Sequence, residues 1–158
     1  HVRTAFETCA VGITWFSCVR EFLNAIIGAI LAYQSAYEQR GILHCDISDT
    51  NIWIHIKKAV PEEAVPDWPT NAPSKWYSRC PGMAGDWGFT QDKNTKPTPD
   101  TVRFLTGTFP FQACEIINVY DEEKAPDHHV HHDLESFFWV VWLICLNVSG
   151  PYDQRVFW

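Results

Sequence analysis

Apolar residues along the chain change spacing from one stretch to the next. Val2, Ala5, Phe6 and Val11 lead into Gly12, which predicts a strand that runs into a turn. From Phe22 the spacing becomes helical. Phe22, Ile26, Ile30 with Ala29, Tyr33 and Tyr37 recur every three or four residues on one face, and Gly41 stands where a helix would stop. Two short apolar pieces follow, 41–44 and 51–56, and the second alternates at period two as a half-buried strand does. A polar loop, 45–50, joins them.

The pattern then breaks. Pro61, Pro66, Pro69, Pro73 and Pro81 punctuate 57–81, a composition that stops both helix and strand and predicts a surface insertion or linker. Gly85-Asp86-Trp87-Gly88-Phe89 opens a second irregular stretch, which passes Lys93, Lys96, Pro97 and Pro99 and ends near Glu115. Loops this long inside a compact domain are usually functional. The run 137–146 is apolar on all sides, the signature of a helix in the middle of a core, with Asp133 placed as its N-cap and Gly150-Pro151 as its stop.

Composition narrows the class. At 158 residues, 46% apolar and 15% aromatic, this is a folding chain with room for one domain. It opens on His1, its single methionine is Met83, and it closes on Trp158, so it is expected to be a segment of something longer. The net charge of −7 is concentrated in the second half and leaves no basic footprint for nucleic acid. The apolar run is well short of the roughly 20 residues that span a bilayer, so no membrane partner is expected. Six scattered cysteines without a C-x-x-C pair fit free thiols in a reducing compartment and favour cytoplasm or nucleus.

The candidate chemistry centres on His44-Cys45-Asp46-Ile47-Ser48-Asp49-Thr50-Asn51, an H-x-D with Asn at the fifth following position, on a loop between two short strands. Phosphoryl transfer needs a carboxylate beside the acceptor hydroxyl, to orient it and take its proton. It also needs an amide oxygen one loop-turn away to hold a divalent cation against nucleotide phosphates. Asp46 and Asn51 suit those two tasks. Asp86-Trp87-Gly88 follows as an acidic turn, and Asp-x-Gly alone is ordinary turn chemistry. His128, His129, His131 and His132 could form a metal tract, but adjacent histidines on a polar lead-in are more often solvated or helix-capping. For Trp87, packing against the core is the simpler reading.

Four motifs in order carry a family resemblance. They are the catalytic-loop string 44–51, the D-F-G-like 86–88, Thr106-Gly107-Thr108-Phe109-Pro110-Phe111-Gln112-Ala113-Cys114-Glu115, and His131-His132-Asp133-Leu134-Glu135-Ser136-Phe137-Phe138. Together they resemble the fungal-type protein-kinase-like family. The resemblance implies an α+β, protein-kinase-like fold, mainly the helical C-terminal lobe with short β-hairpins and with the N-terminal lobe largely absent. It implies that residues 1–158 form a partial domain, with 57–81 an insertion. The implied activity is transfer of the terminal phosphoryl of ATP, with Mg2+, to Ser or Thr hydroxyls of a protein substrate.

In that scheme Asp46 and Asn51 are catalytic, Asn51 and Asp86 also bind the nucleotide and hold its magnesium, and Thr108 docks substrate and contacts Asp46. Thr106 and Thr108 are also candidate phosphorylation sites. Asp133 braces the catalytic-loop backbone. Gly107 and Glu115 are structural, and the usual arginine partner of Glu115 is expected beyond Trp158. Three departures stand out: Cys45 replaces the arginine that grips an activation-loop phosphate, Ser48 replaces a phosphate-neutralising lysine, and Cys114 replaces a proline. No Gly-rich loop or strand lysine is present, so the segment alone is expected to be silent. A non-catalytic scaffold and a small-molecule kinase are the competing readings.

Overall fold

The computed structural model describes residues 9–56, 82–94, 107–118 and 127–155. Its longest element is helix α1, Val19–Arg40, which begins three residues before the first periodic position, Phe22. Glu21 in its first turn accepts hydrogen bonds from both the Ser17 amide (2.6 Å) and the Ser17 hydroxyl (2.7 Å), which satisfies the chain just ahead of the helix. Gly41 ends it in a left-handed conformation (φ 69°), its amide donating back to Ala36 and Tyr37 as in a C-terminal cap. A side chain there would be strained in backbone and would also press on Lys93 and Asn94.

Strand β1 (Ala10–Gly12) pairs antiparallel with β3 (Ile52–His55), which pairs antiparallel with β4 (Gly82–Ala84). The alternation expected for 51–56 is present: Ile52 and Ile54 are buried, while Trp53 and His55 are half-buried. A two-residue strand, β2 (Ile42–Leu43), pairs with β5 (Gln91–Asp92). The second ladder lies inside the stretch expected to be irregular, because Gln91 and Asp92 are exposed polar residues with no apolar alternation to announce a strand.

Helix α2 is short, Cys114–Asn118, and α3 runs Val130–Asn147, followed by a hairpin of β6 (Val148–Gly150) and β7 (Gln154–Arg155). Among the described residues the fold is therefore mixed α+β, three α-helices with small antiparallel sheets. The core joins Phe22, Ile26 and Tyr33 of α1 to Ile52 and Ile54 of β3 and to Phe137, Val140 and Ile144 of α3. Ile47 belongs to the same core, so the loop 44–48, polar in sequence, is buried from His44 to Ser48.

Three expectations are corrected. The α3 N-cap is His129, so Asp133 stands inside the first turns, where its carboxylate is free to reach another segment. The helix stops at Asn147, before Gly150-Pro151, because the chain there turns extended to pair as β6. Nor is α3 covered on all sides: Leu134, Phe138, Trp142 and Leu146, four apart, form an exposed stripe. No helix among the described residues is long and apolar enough to cross a membrane. The expected insertion at 57–81, the strand residues before 9, and 95–106 with Thr106 lie outside the described residues.

Candidate functional site

The turn that carries Asp46 is held from three directions. From α3, the Asp133 carboxylate, fully buried, accepts the His44 amide at Oδ2 (2.9 Å) and the Cys45 amide at Oδ1 (3.0 Å). The bracing role expected for Asp133 is thus present in the geometry. His128 adds a third donor, its Nε2 lying 3.0 Å from Asp133 Oδ1. From the core, Ile47 pins the turn by apolar burial. From the acidic turn, the Gly85 carbonyl lies 2.9 Å from His44 Nε2.

That last contact fixes a tautomer. His44 Nδ1 accepts the Asp46 amide at 3.3 Å, so the ring proton resides on Nε2 and is donated to Gly85. Neutral, fully buried His44 therefore ties the Asp46 loop to the residue just before Asp86. The Gly85 amide also donates to the Asn51 carbonyl (2.8 Å), a second tie between the same two segments. Trp87 packs its ring 4.5 Å from that of His44 and donates its indole N–H to Ala84 (3.0 Å), in line with a packing role.

Asp46 is buried but for one edge, at 8% exposure. Its Oδ1 accepts the Thr108 hydroxyl at 2.7 Å, and its Oδ2 accepts Asn51 Nδ2 at 3.2 Å. Asn51 Nδ2 also donates to the Asp46 carbonyl (2.9 Å), so the amide nitrogen is fully used and Oδ1 faces away, with only a 3.5 Å contact from Thr50. The structure thus brings Asp46, Asn51 and Thr108 together directly. Asp86 joins them through the backbone of Gly85, exposed and in a left-handed conformation (φ 54°).

A family model for fungal protein kinases matches residues 1–145 of the chain. The chain belongs to the fungal protein kinase family. No curated protein and no solved structure matches it. Membership in this kinase family carries a protein-kinase-like function in general, with ATP and a divalent metal as the family's usual requirements. The chemistry of the donor set fits a hard cation: the amide oxygen of buried Asn51 and the exposed carboxylate of Asp86 are both oxygen ligands.

The departures from the kinase pattern have physical consequences. Cys45 is buried at φ 65°, and burial, with Asp133 beside it, pushes its thiol up to about 12, so it stays uncharged. Ser48 is fully buried with its hydroxyl 2.8 Å from that of Thr50, far from the role of a mobile cation. The histidine tract is not uniformly solvated: His132 is fully buried. Its Nδ1 accepts the His129 amide (3.0 Å), and its Nε2 lies 3.0 Å from Glu115 Oε2, so the proton sits on Nε2. Glu115 also meets His131 at 3.4 Å.

Glu115, His131 and His132 bring their ligand atoms within 4.8 Å of one another. A metal on His132 Nε2 would nevertheless require either an imidazolate or loss of the His129 hydrogen bond, so the cluster works as a clamp of ring N–H donors on a carboxylate. Among the described residues, His131 and His132 both reach Glu115. Sequence reading also missed Glu135, whose Oε1 accepts the Cys114 amide at 2.9 Å and the Trp139 indole N–H at 3.1 Å. A carboxylate four residues ahead of a tryptophan on a helix was the available signal.

Proposed function

We propose that the chain is the mainly helical C-terminal lobe of a protein serine/threonine kinase, with 57–81 as an insertion, and that it carries the catalytic groups of the full-length protein. The terminal phosphoryl of ATP passes to a Ser or Thr hydroxyl. The hydroxyl oxygen bonds to phosphorus, the bond to the ADP oxygen breaks, and the hydroxyl proton goes to Asp46. Magnesium held by Asn51 and Asp86 would offset negative charge on the phosphates. Asn51 Nδ2 and the Thr108 hydroxyl set the orientation of the Asp46 carboxylate before substrate arrives, which is the observation that carries this reading. The direct link from Asp46 to the 107–118 segment favours a protein substrate over a small metabolite, since that segment offers a docking edge beside the base.

Cys45 and Ser48, neither of them a cation, favour a second reading in which the protein binds Mg-ATP without turnover. Thermal shift with Mg-ATP and phosphotransfer to a Ser/Thr peptide separate the two in the full-length protein. Binding together with transfer, both lost in Asp86→Asn, supports the enzyme. Binding without transfer supports the scaffold.

A further inference from the structure

Helix α3 presents two carboxylates two positions apart, and each grips a different segment. Asp133 takes the backbone of the 44–51 loop, whereas Glu135 takes the first amide of α2. Residues two apart on a helix point about 200° away from each other, so one rigid turn can hold both segments at once. The backbone part of the Glu135 grip needs an N–H at residue 114. Kinases of the resembling pattern carry proline at this position, and proline would leave Glu135 nothing to accept there.

The Glu135 side chain is itself fixed. Trp139, one turn along α3, donates its indole N–H to the same Oε1 that receives Cys114. Burial raises the Glu135 carboxyl, yet the Cys114 amide and thiol and the Trp139 N–H outweigh it and hold the group below its usual range. The Cys114 thiol is pushed up, chiefly by its own hydrogen bond to Glu135. Just inside the gripped amide lie Ala113 and Phe111, both buried, and then Thr108 on Asp46.

We propose that Glu135 is a positioning residue: by accepting the Cys114 amide it holds the 107–118 segment at the distance from the 44–51 loop that lets Thr108 reach Asp46. Its consequence for catalysis rests on the phosphotransfer reading above. The anchor itself does not, and it is read separately.

Amide hydrogen exchange on the full-length protein tests it, with the Phe111 and Ile117 amides, bonded to Thr108 and Ala113, as reporters. Glu135→Ala should speed their exchange on the order of tenfold. Glu135→Gln, which keeps an acceptor oxygen, should stay near wild type. Cys114→Pro is tolerated at the first position of a helix and removes both the amide and the thiol that reach Glu135, so Glu135→Ala should add little in that background. In phosphotransfer, Glu135→Ala should raise KM for a Ser/Thr peptide and leave KM for ATP unchanged, with Gln restoring it. Unchanged exchange in Glu135→Ala, a Gln variant as poor as Ala, or fully multiplicative effects in the double variant would overturn the proposal. An inactive protein that keeps the expected exchange pattern counts for the anchor and against phosphotransfer.

Discussion

Thr108 and Asp46 lie 62 positions apart and share a 2.7 Å hydrogen bond, the direct link between the 107–118 segment and the buried turn. The hydroxyl is the donor, so the bond occupies Asp46 Oδ1 and leaves Oδ2 to Asn51. Thr108→Ala should lower phosphotransfer to a peptide roughly tenfold, mostly through KM, on the loss of one hydrogen bond to a charged group. Thr108→Ser, which keeps the hydroxyl, should recover most of it. A Ser variant no better than Ala would mean that the methyl group, and not the bond, matters at this position.

Asp133 is the larger stability determinant. It receives two loop amides on different oxygens, so neither Ala nor Asn can satisfy both; Asn offers only one acceptor. Asp133→Ala should destabilise the protein by about 3 kcal/mol, the cost of stranding buried donors, and Asp133→Asn by a substantial part of that. Urea denaturation measures both. Equal stability of wild type and the Ala variant would show that Ile47 burial and the His44–Gly85 contact hold the 44–48 turn without Asp133.

Much of this framework was legible in the sequence. Gly41 marks the end of α1, Ile52 and Ile54 mark β3, and the H-x-D-x4-N string marks the loop, because each rests on local spacing or backbone chemistry. What spacing and composition alone did not show is what depends on partners distant in sequence. Asp133 reads locally as an N-cap because a carboxylate before an apolar run usually is one, and only the family resemblance pointed to its bracing of the loop, whose amides lie 89 and 88 positions away. The exposed stripe on α3 and the histidine clamp on Glu115 were hidden for the same reason: composition says what a residue prefers, and only the fold says what is left to face it.

The clamp gives a pH dependence with a definite sign. Burial holds His132 below its usual value of 6.5, and hydrogen bonds from His132 and then His131 hold Glu115 below 4.5. For both groups the unfolded chain binds protons more readily than the folded one, so their contribution is complete above about pH 6.5 and is lost as pH falls, first through His132 and then through Glu115. Melting temperature should fall more steeply between pH 6.5 and 4.5 in wild type than in His132→Gln. Parallel curves would place the acid sensitivity elsewhere.

Gly82 is a packing constraint. A Cβ at this position of β4 would run into the backbone carbonyl of Ala25 on α1, and backbone cannot swing aside as a side-chain tip can. Gly82→Ala should cost about 3 kcal/mol, at the upper end of ordinary overpacking, and chemical denaturation reads it. A neutral outcome would mean that β4 and α1 do not pack at this distance.

The central claim is that Asp46 takes the proton of the acceptor hydroxyl. Steady-state phosphotransfer from Mg-ATP to a Ser/Thr peptide, by the full-length protein and by its Asp46→Asn variant, tests it most directly. Asparagine can still accept the Thr108 hydroxyl but cannot accept a proton, so kcat should drop about 10²- to 10⁴-fold while KM for ATP stays near wild type. An Asp46→Asn variant that turns over at the wild-type rate would contradict the account.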